Sequence, residues 1–496
     1  MQELERWLNK ATGITCHSDK VLPGHIFVAI CGRAVDGNKF AQAAAGRGAL
    51  AIVSDCPDKL PPLNIPVFAV PNARLTLSAL AAAFYQNPSR QLKLIGITGS
   101  NGKTTIACLL EHIFNHSGCP VGLIGTLRVT TGKHSVPSTL TTPDAVNLQH
   151  YLAQMVSNKL THAVMEVSAQ GIDMHRTAHV HFSTGILSNI CADHLDFHGT
   201  FANYLAAKAK FLDLLPAQTP FVVNISDRYC RKIADCFAGR LVTAAIDSPA
   251  DICVTLNRLT PYGSNFTLTL NKPLLTLSGQ TLPPSQYVMN LAIPGRHNVE
   301  NAMLAITAAL LHDLPPELVA DGLETFRGVE RRMEIFHLAG LTVVDDTALN
   351  PGSIEAVFST IMPWHYRRLV VVTAIRGHRG TAINAENAAS IASFQRCLPF
   401  TLIVTDSSDQ VGAADKVTPE ERLAFLQTLT TLHADYTYTP TLLSAVKAAR
   451  RRAAAGDLLV LMGAQGMDAG RQVLTAIAPT PNLPPLQELH PLTNVL

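Results

Sequence analysis

Short apolar runs alternate with helical patterns along nearly the whole chain. Glycine, proline or polar residues bound each run, and the segments between runs repeat apolar residues at helical spacing. This alternation predicts parallel sheets built from β-α-β units, so the expected fold class is α/β. The predicted strands are 26–30, 49–53, 94–98, 163–167, 184–188, 220–224, 341–345, 369–373, 402–405 and 457–462.

One segment follows a different pattern. Between 252 and 282, apolar and polar residues alternate in one stretch, where Phe266, Leu268 and Leu270 have threonines between them. Such alternation indicates antiparallel strands with one covered face. We therefore expect a small side sheet within the middle of the chain.

Chain length predicts several domains. A chain of 496 residues exceeds what one core supports, and roughly 150 residues per domain gives about three domains. A polar, proline-containing stretch at 86–91 and a charged segment at 330–332 are the best breaks. The expected domains are 1–92, 93–332 and 333–496, with the proline-rich tail from Pro479 as a surface wrap or frayed end.

Composition excludes several classes of protein. With 47% hydrophobic and 15% charged residues the chain is globular, and a formal charge of +2 is too weak for a nucleic-acid binder. The first residues lack an apolar signal core, and no apolar run reaches the roughly 18 residues that span a bilayer. We expect a soluble, cytoplasmic protein with no membrane or nucleic-acid partner.

The ten cysteines are scattered, and no two form a C-x-x-C pair. This spacing favours neither a zinc site nor a redox motif. We expect reduced and mostly buried thiols.

The strongest single motif is a glycine-rich loop that follows the strand 94–98 and precedes a helical pattern. Its glycines let backbone N–H groups face a phosphate, a lysine reaches the β- and γ-phosphates, and a threonine ligates Mg²⁺. Ile97 occupies the first glycine position of the usual P-loop pattern. The expected nucleotide-binding residues are Gly99, Ser100, Asn101, Gly102, Lys103, Thr104 and Thr105.

This loop resembles the ATP loop of the Mur ligases, and further matches follow in order along the chain. The pattern is most similar to the MurE-type members, which add the third amino acid to UDP-N-acetylmuramoyl-dipeptide. The resemblance implies three α/β domains: an acceptor-binding domain, a central P-loop ATPase domain and a Rossmann-like C-terminal domain. The matching segments are 18–37, Thr141-Thr142-Pro143, Met165-Glu166-Val167-Ser168, His175-Arg176, Asn189, 193–199, 204–208, Gly295-Arg296-His297-Asn298, Asn301-Ala302 and Arg332-Met333-Glu334.

The resemblance implies a chemistry. ATP phosphorylates an acceptor carboxylate, and the amine of an amino acid then displaces phosphate to leave an amide. Lys103, Glu166, His194 and Lys208 are the implied catalytic residues, and Thr104, Glu166, His194 and Lys208 are the implied ligands of two Mg²⁺ ions. Lys208 falls where family members carry a lysine carbamylated by CO₂; the alternative is an ordinary exposed lysine, with Lys210 in its place if the register slips.

The remaining site residues are also implied by the resemblance. Asn298 and Asn301 correspond to adenine-side residues, although asparagine is also common as a helix cap. Arg332 and Asp346 correspond to ATP-binding residues of the third domain, the alternative for Arg332 being a surface salt bridge. The implied acceptor-binding residues are Ser18, Thr141, Thr142, Ser168 and Arg176, with a structural ion pair as the alternative for Arg176.

Departures from the family pattern concentrate in the third domain. Leu349 replaces a histidine, the basic loop 376–380 is rearranged, and the Gly-Lys-Gly-His-Glu element is reduced at 463–467; near the start, His17-Ser18-Asp19 replaces Asp-Ser-Arg. The residues expected to bind the incoming amino acid are Asp406, Asp409 and Gly463. Because no cation follows the strand 402–405 in sequence, meso-diaminopimelate is not expected as that amino acid, unless Arg376 or Arg379 substitutes.

Three hypotheses follow. The chain is a Mur-type ligase of unusual amino-acid or acceptor choice, a ligase of ordinary specificity with substitute residues, or a nucleotide-binding scaffold without turnover. Retention of the catalytic set argues against the scaffold, because a scaffold has no need of metal and carbamate chemistry. The expected partners are a UDP-MurNAc-peptide-like acceptor and an amino acid, and the expected oligomeric state is a monomer.

Overall fold

The computed structural model describes residues 2–32, 35–193 and 195–477. The predicted wrap from Pro479 lies outside these ranges. The chain divides into two compact units, Met1–Val329 and Glu330–Leu496. The domain boundaries near 92 and 332 stay predictions.

The first unit begins with a small parallel sheet. Its strands lie in the order β1-β2-β3-β4, and helices α1 and α3 pack on one face while α2 packs on the other. The strand β2 buries alternate residues against each set of helices, which makes it a core strand. The elements are α1 (Gln2–Leu8), β1 (Gly13–Thr15), β2 (His25–Ala29), α2 (Ala41–Gly46), β3 (Ala51–Ser54), β4 (Val67–Ala69) and α3 (Ala73–Phe84).

The rest of the first unit is built on one large sheet. In the described residues its strand order is β17-β14-β13-β12-β11-β10-β5-β9-β6-β7-β8. The strands are β5 (Lys93–Thr98), β6 (Val121–Ile124), β7 (Arg128–Thr130), β8 (Ser135–Pro137), β9 (His162–Glu166), β10 (Thr184–Leu187), β11 (Phe221–Asn224), β12 (Leu241–Ile246), β13 (Ile252–Thr260), β14 (Gly263–Leu270) and β17 (Ser285–Leu291); β15 (Leu274–Leu275) and β16 (Thr281–Leu282) form a separate pair.

Helices cover both faces of this sheet. One core joins β5 to α4, α10 and α11, and a second core joins the opposite face to α5, α8 and α9. The helix α10 is apolar nearly all round because it is buried between the sheet and α4. The helices are α4 (Lys103–His116), α5 (Ala145–Ser157), α6 (Ala169–Asp173), α7 (Leu195–His198), α8 (Phe201–Ala209), α9 (Arg228–Ala234), α10 (Arg296–Leu311) and α11 (Pro316–Thr325).

The centre of the sheet is parallel and its edges are antiparallel. The predicted antiparallel segment 252–282 is confirmed, since β13 pairs with β14 and β15 pairs with β16, and the short β15–β16 pair is a separate sheet as expected. The longer strands β13 and β14 are not part of that separate sheet. Because β13 pairs in parallel with β12, these strands extend the main sheet. At the centre, β5 lies between β9 and β10, so the residues that follow these three strands meet at one edge.

The second unit is also an α/β layer structure. Its strand order is β18-β19-β23-β20-β21-β22, parallel except for β18, with α12, α13 and α14 on one face and α15 and α16 on the other. The elements are β18 (Glu334–Leu338), β19 (Leu341–Asp346), α12 (Pro351–Ile361), β20 (Leu369–Ala374), α13 (Thr381–Gln395), β21 (Thr401–Thr405), α14 (Pro419–Thr431), β22 (Tyr436–Thr439), α15 (Leu442–Arg452), β23 (Leu458–Met462) and α16 (Gly470–Ile477). The predicted α/β class is confirmed.

The positions of the cysteines and the lengths of the apolar helices bear on two expectations from the sequence. The thiols are not mostly buried, since only Cys108 and Cys230 are buried while the others lie on partly or fully exposed positions. The average tendency of cysteine to be buried does not set the position of any one cysteine, which depends on the face its element presents. In the described ranges, no helix is both long and apolar enough to cross a membrane.

Candidate active site

The glycine-rich loop joins β5 to α4 at the centre of the sheet. Gly99 and Gly102 have φ values of +141° and +87°, which residues with a side chain rarely adopt. A Cβ on Gly99 would collide with Ser188, and one on Gly102 would collide with Asn301. The two glycines are therefore required both by conformation and by space.

The segment after β10 braces this loop. The N–H of Ser100 donates to the Asn189 carbonyl at 2.7 Å, and the N–H of Asn101 donates to Asn189 Oδ1 at 2.9 Å. Ser188 Oγ donates to the Asn101 carbonyl at 2.7 Å. These bonds fix the conformation of the loop against the segment that follows β10.

Lys103 opens the helix α4 and turns back over the loop. Its Nζ donates to the carbonyls of Gly99 and Ser100, both at 2.8 Å. The ammonium therefore lies over the loop and is bonded to two of its carbonyls. The next residue, Thr104, donates its hydroxyl to Glu166 Oε2 at 3.0 Å.

Glu166 ends β9 and is buried beside the P-loop, with 1% exposure. Thr126, which sequence reasoning missed, contacts both of its oxygens: the Thr126 N–H donates to Oε1 at 2.7 Å and the hydroxyl to Oε2 at 3.0 Å. The Thr126 hydroxyl also lies 3.1 Å from Thr141 Oγ1. The structure thus brings Thr104, Glu166 and Thr141 together around Thr126.

Lys208 is buried on α8, with 2% exposure. Its Nζ lies 4.9 Å from the centre of the Tyr204 ring, and the Tyr204 hydroxyl lies 2.9 Å from Ser100 Oγ. Lys208 makes no ion pair within the described ranges. Burial lowers the pKa of Lys208 well below its usual value, and the charge of Lys103 lowers that pKa further.

Lys210, the alternative to Lys208, lies in a different environment. Lys210, the substitute if the register had slipped, is exposed and pairs with Asp173 at 2.7 Å. The ordinary exposed lysine is therefore Lys210, and Lys208 is not one. His194 lies outside the described residues.

Asn298 and Asn301 lie on the buried face of α10. Asn298 Nδ2 donates to the Pro294 carbonyl at 2.8 Å, and Asn301 Nδ2 lies 3.4 Å from Asn298 Oδ1. Asn301 also faces Gly102 of the P-loop. Neither residue acts as the N-cap of α10, which begins after Gly295.

Four of the expected acceptor residues lie together. Thr142 donates its hydroxyl to the Glu166 carbonyl at 3.0 Å and accepts the Ser168 N–H at 2.9 Å. Arg176 Nη1 donates to the Thr142 carbonyl at 2.7 Å, so its strongest contact is a hydrogen bond and not a structural ion pair. Thr141 joins this group through Thr126.

The fifth expected acceptor residue, Ser18, lies elsewhere, at the start of a 3-10 helix. Its carbonyl accepts a hydrogen bond from Arg47 at 2.8 Å.

In the second unit, two adjacent arginines have different environments. Arg331 is 9% exposed; its guanidinium donates to Asp345 at 3.1 Å and to the Gly463 carbonyl at 2.6 Å, and it also pairs with Asp468. Arg332 is partly exposed and makes no ion pair with any described residue, so the surface salt bridge is not what the structure shows.

Asp346 ends β19 and is buried. Its Oδ2 accepts the Met333 N–H at 2.6 Å. Burial raises the pKa of Asp346 to about 6, and the nearby charge of Arg332 opposes the rise. Gly463, which follows β23, donates its N–H to the Asp346 carbonyl at 3.0 Å, so this expected amino-acid residue lies beside an expected ATP residue.

A cation lies beside Asp406, although none follows β21 directly in sequence. Arg422 on α14 donates Nε to Asp406 Oδ2 at 2.6 Å, and its Nη2 lies 2.5 Å from the same oxygen. Tyr438 donates its hydroxyl to that oxygen at 3.0 Å. The residues directly after β21 include no cation. Arg422 lies on α14, 16 positions after Asp406, and contacts it only in the folded chain.

Asp409 has a structural task. Its Oδ1 accepts the Leu442 N–H at 2.7 Å and its Oδ2 accepts the Leu443 N–H at 3.3 Å, so the carboxylate stabilises the N-terminus of α15. A carboxylate that satisfies these amides is directed at the helix.

The basic loop 376–380 is also tied down. Glu421 accepts the N–H groups of His378, Arg379 and Gly380 at 3.0, 2.7 and 2.7 Å. Arg376 donates to the Leu349 carbonyl at 2.8 Å, and Arg379 pairs with Asp415 at 3.3 Å. Both candidate substitutes for a distal-carboxylate arginine are therefore engaged within the second unit.

Sequence reasoning missed Thr126, Tyr204 and Arg422. A signal for Thr126 was present, because Gly125-Thr126 follows the apolar run 121–124, and residues after parallel strands meet at one edge. Tyr204 lies one helical turn before Lys208, which is the spacing of facing residues. No local pattern marks Arg422.

Three Mur ligase domain families match the chain. The "Mur ligase family, catalytic domain" matches 10–85, the "Mur ligase middle domain" 97–309 and the "Mur ligase, glutamate ligase domain" 331–465.

Similar proteins point the same way. The UDP-N-acetylmuramoyl-L-alanyl-D-glutamate–2,6-diaminopimelate ligase of Chlamydia caviae is 36% identical over 373 residues, which is 74% of this chain and 74% of that protein. The ligase of the same name from Bacillus velezensis is 32% identical over 375 residues, again 74% of each chain.

Solved structures share the fold at low identity. MurF from Acinetobacter baumannii aligns with a TM-score of 0.69 and 19% identity, over 96% of this chain and 98% of that one. Folylpolyglutamate synthase from Mycobacterium tuberculosis aligns with a TM-score of 0.63 and 18% identity, over 82% and 96%.

The P-loop with its lysine, the buried glutamate beside it, the three matching domains and the two relatives above 30% identity agree with one another. The chain belongs to the Mur ligase family and is an ATP-dependent amide ligase.

Proposed function

We propose that the protein joins an amino acid to the carboxylate of a UDP-MurNAc-dipeptide-like acceptor and releases ADP and phosphate. The γ-phosphoryl group passes to the acceptor carboxylate, and the amine attacks the acyl-phosphate with phosphate as the leaving group. The observation that carries the proposal is the joining of the P-loop to Glu166 through Thr104, with Lys208 buried nearby.

The donor set suits Mg²⁺. The hydroxyl of Thr104 and the carboxylate of Glu166 are hard oxygen ligands, and Mg²⁺ is commonly held by few protein oxygens together with substrate phosphates. Within the described ranges, no cluster of three His, Cys, Asp or Glu side chains could hold a metal alone, which fits such a shared site. When bound, Mg²⁺ neutralises charge on the phosphates, and we assign Thr104, Glu166, His194 and carbamylated Lys208 to two such ions.

Lys208 is proposed to carry a carbamate. Its burial, with no ion pair to any described residue, favours the neutral amine, which is the form that attacks CO₂. The amine nitrogen bonds to the carbon of CO₂ and loses a proton, which leaves an anionic oxygen ligand. This reaction replaces a buried neutral amine with an anionic group that a metal can satisfy.

The nucleotide is proposed to lie on the P-loop from Gly99 to Thr105. Lys103 neutralises the β- and γ-phosphates, and Asn298 and Asn301 line the adenine side because Asn301 faces the loop at Gly102. Arg332 is proposed to neutralise phosphate charge, since it makes no ion pair in the described part of the second unit, with Asp346 as its companion.

The acceptor is proposed to bind at Thr141, Thr142, Ser168 and Arg176, with Ser18 at its uridine end. The four central residues are linked to Glu166 by hydrogen bonds, which places acceptor and metal ligands side by side. We place the reaction in the cytoplasm, where ATP is available, and treat the protein as a monomer.

Amino-acid choice is proposed to differ from that of ordinary tripeptide synthetases. Leu349 and Met467 stand where the family carries polar residues. Diaminopimelate belongs among the candidates because both relatives are named as diaminopimelate ligases, although Arg422, which is paired with Asp406, supplies no free cation for its distal carboxylate.

A phosphate-release assay over a matrix of acceptors and amino acids tests the proposal. The acceptors include UDP-MurNAc-L-Ala-D-Glu, and the amino acids include diaminopimelate, lysine and alanine. We expect phosphate release only when an acceptor and an amino acid are both present, with the matching amide in the product. ATP hydrolysis that ignores both substrates would contradict a ligase of this acceptor class.

A further inference from the structure

Thr126 lies at the tip of the β6–β7 hairpin and surrounds Glu166 with donors. Its N–H donates to Oε1 at 2.7 Å and its hydroxyl to Oε2 at 3.0 Å, so one residue addresses both oxygens of the carboxylate. Two donors from one residue fix both the position and the rotation of a carboxylate plane. Glu166 is nearly fully buried, so few other donors can reach it.

The direction of the hydroxyl chain follows from proton counting. A threonine hydroxyl has one proton, and an ionised carboxylate only accepts. The Thr126 hydroxyl therefore donates its one hydrogen bond to Glu166 and can only accept a hydrogen bond from Thr141, whose Oγ1 lies 3.1 Å away. The chain runs from Thr141 to Thr126 to Glu166, that is, from the acceptor residues to the metal ligand.

Thr104 also donates to Glu166 Oε2, at 3.0 Å, but Thr104 is the P-loop residue assigned to Mg²⁺. If the Thr104 hydroxyl turns to the metal, its bond to Glu166 is lost. Thr126 is not assigned to the metal, so its two donors hold the carboxylate both with and without bound Mg²⁺.

Gly125 makes this arrangement possible. A Cβ on Gly125 would lie 2.6 Å from Glu166 Oε1, closer than real contacts allow. The Gly125 N–H donates to the Arg128 carbonyl at 3.1 Å, which closes the turn that presents Thr126. The Gly-Thr pair is thus shaped for a carboxylate at this point.

We propose that Thr126 is a positioning residue that holds Glu166 for metal binding and links it to Thr141 of the acceptor group. The inference rests on the proposed role of Glu166 as a metal ligand. Partners that orient a metal ligand commonly contribute about tenfold or more to metal affinity.

The test measures Mn²⁺ binding to the full chain in the presence of ADP. The electron paramagnetic resonance signal of the free ion reports how much Mn²⁺ remains unbound. We expect Thr126→Val, which replaces the hydroxyl with a methyl group, to weaken Mn²⁺ binding about tenfold, and Thr126→Ser, which keeps the hydroxyl, to bind Mn²⁺ like the wild type. Thr130→Val is the matched control, because this hydroxyl on the same hairpin contacts Ser135 and not Glu166. Unchanged Mn²⁺ affinity in Thr126→Val would overturn the proposal.

Glu166→Gln separates this inference from the proposed function. If Glu166→Gln leaves Mn²⁺ binding unchanged, the assignment of Glu166 itself fails. If Glu166→Gln weakens binding and Thr126→Val does not, only the role of Thr126 fails. The assay needs neither acceptor nor amino acid, so an error in either substrate leaves its outcome intact.

A double-mutant cycle tests the link to the acceptor group. We expect Thr141→Val to weaken Mn²⁺ binding in the wild-type background and to have no further effect in the Thr126→Val background. Additive effects of the two substitutions would overturn the link.

Discussion

Two lysines on neighbouring turns show how surroundings decide chemistry. Lys208 and Lys210 have the same side chain, but Lys208 is buried against Tyr204 while Lys210 is exposed and paired with Asp173. Burial disfavours the charged form of an amine, so only Lys208 is prepared to react as a neutral nucleophile. Position along the helix, and not residue type, separates the two.

Lys208→Ala is expected to abolish ligation, because an anionic metal ligand is lost. A small carboxylic acid such as acetate should restore part of the activity by filling the gap with an anionic oxygen. Lys210→Ala is the matched control and should retain near wild-type rates. Phosphate release with and without acetate is the measurement, and full activity of Lys208→Ala would show that the lysine is a bystander.

Arg331 and Arg332 form a second such pair. Arg331→Ala should destabilise the second unit by about 3 kcal/mol, because it leaves the buried Asp345 carboxylate without its partner. Arg332→Ala should reduce stability far less than Arg331→Ala, because Arg332 is partly exposed, and should lower kcat by about 100-fold, as expected when a donor to developing phosphate charge is lost. Thermal unfolding and steady-state kinetics separate the two; an unchanged kcat in Arg332→Ala would contradict a role of Arg332 in phosphate binding.

At the level of elements, the parallel sheet separates its two ends. The carboxyl ends of β5 and β9 carry the P-loop and Glu166, whereas their amino ends carry Lys93 and His162. His162 lies against His312, with ring centres 5.5 Å apart, and His312 Nε2 lies 2.9 Å from Thr184 Oγ1. The sheet thus keeps a buried histidine pair at the end opposite the chemistry.

This pair predicts acid sensitivity of the first unit. Burial lowers the pKa of His162 from 6.5 to about 4, and it lowers that of His312 as well. The unfolded chain then binds more protons than the folded one between these pH values, so stability falls as pH drops from 6.5 towards 4. His162→Phe should flatten this dependence of the unfolding midpoint, while the exposed His134→Phe should not. An unchanged slope in His162→Phe would show that other groups control it.

For the whole molecule, the two compact units predict separate responses to ligand. The P-loop, Asn298 and Asn301 all belong to Met1–Val329. Saturating Mg·ADP should raise the unfolding temperature of this unit in calorimetry. At a roughly 100-fold excess over Kd, its free energy of unfolding should increase by about 2.7 kcal/mol. Lys103→Ala should remain folded and lose this shift, together with ATP turnover, because the lysine neutralises phosphate and packs no core. An undiminished shift in Lys103→Ala would contradict the placement of the nucleotide.

Much of the fold was readable from local pattern. Apolar runs between glycine or proline breaks located β5, β9, β10 and β11 within one or two residues, because strand burial depends on short-range hydrophobicity. The antiparallel segment was also recognised by its alternation. Its attachment to the main sheet was not, because strand partners are chosen by contacts between distant parts of the chain.

The candidate site divides in the same way. The P-loop is readable because its chemistry needs particular residues at adjacent positions, and Glu166 and Lys208 are readable from ordered family motifs. Which lysine is buried, which arginine is already paired and which threonine holds Glu166 depend on neighbours far along the chain. Arg422 reaches Asp406 from another element, and Thr126 reaches Glu166 from a hairpin 40 positions away. A hydrogen bond acts over about 3 Å in space, and local sequence carries no record of which distant residues folding brings that close.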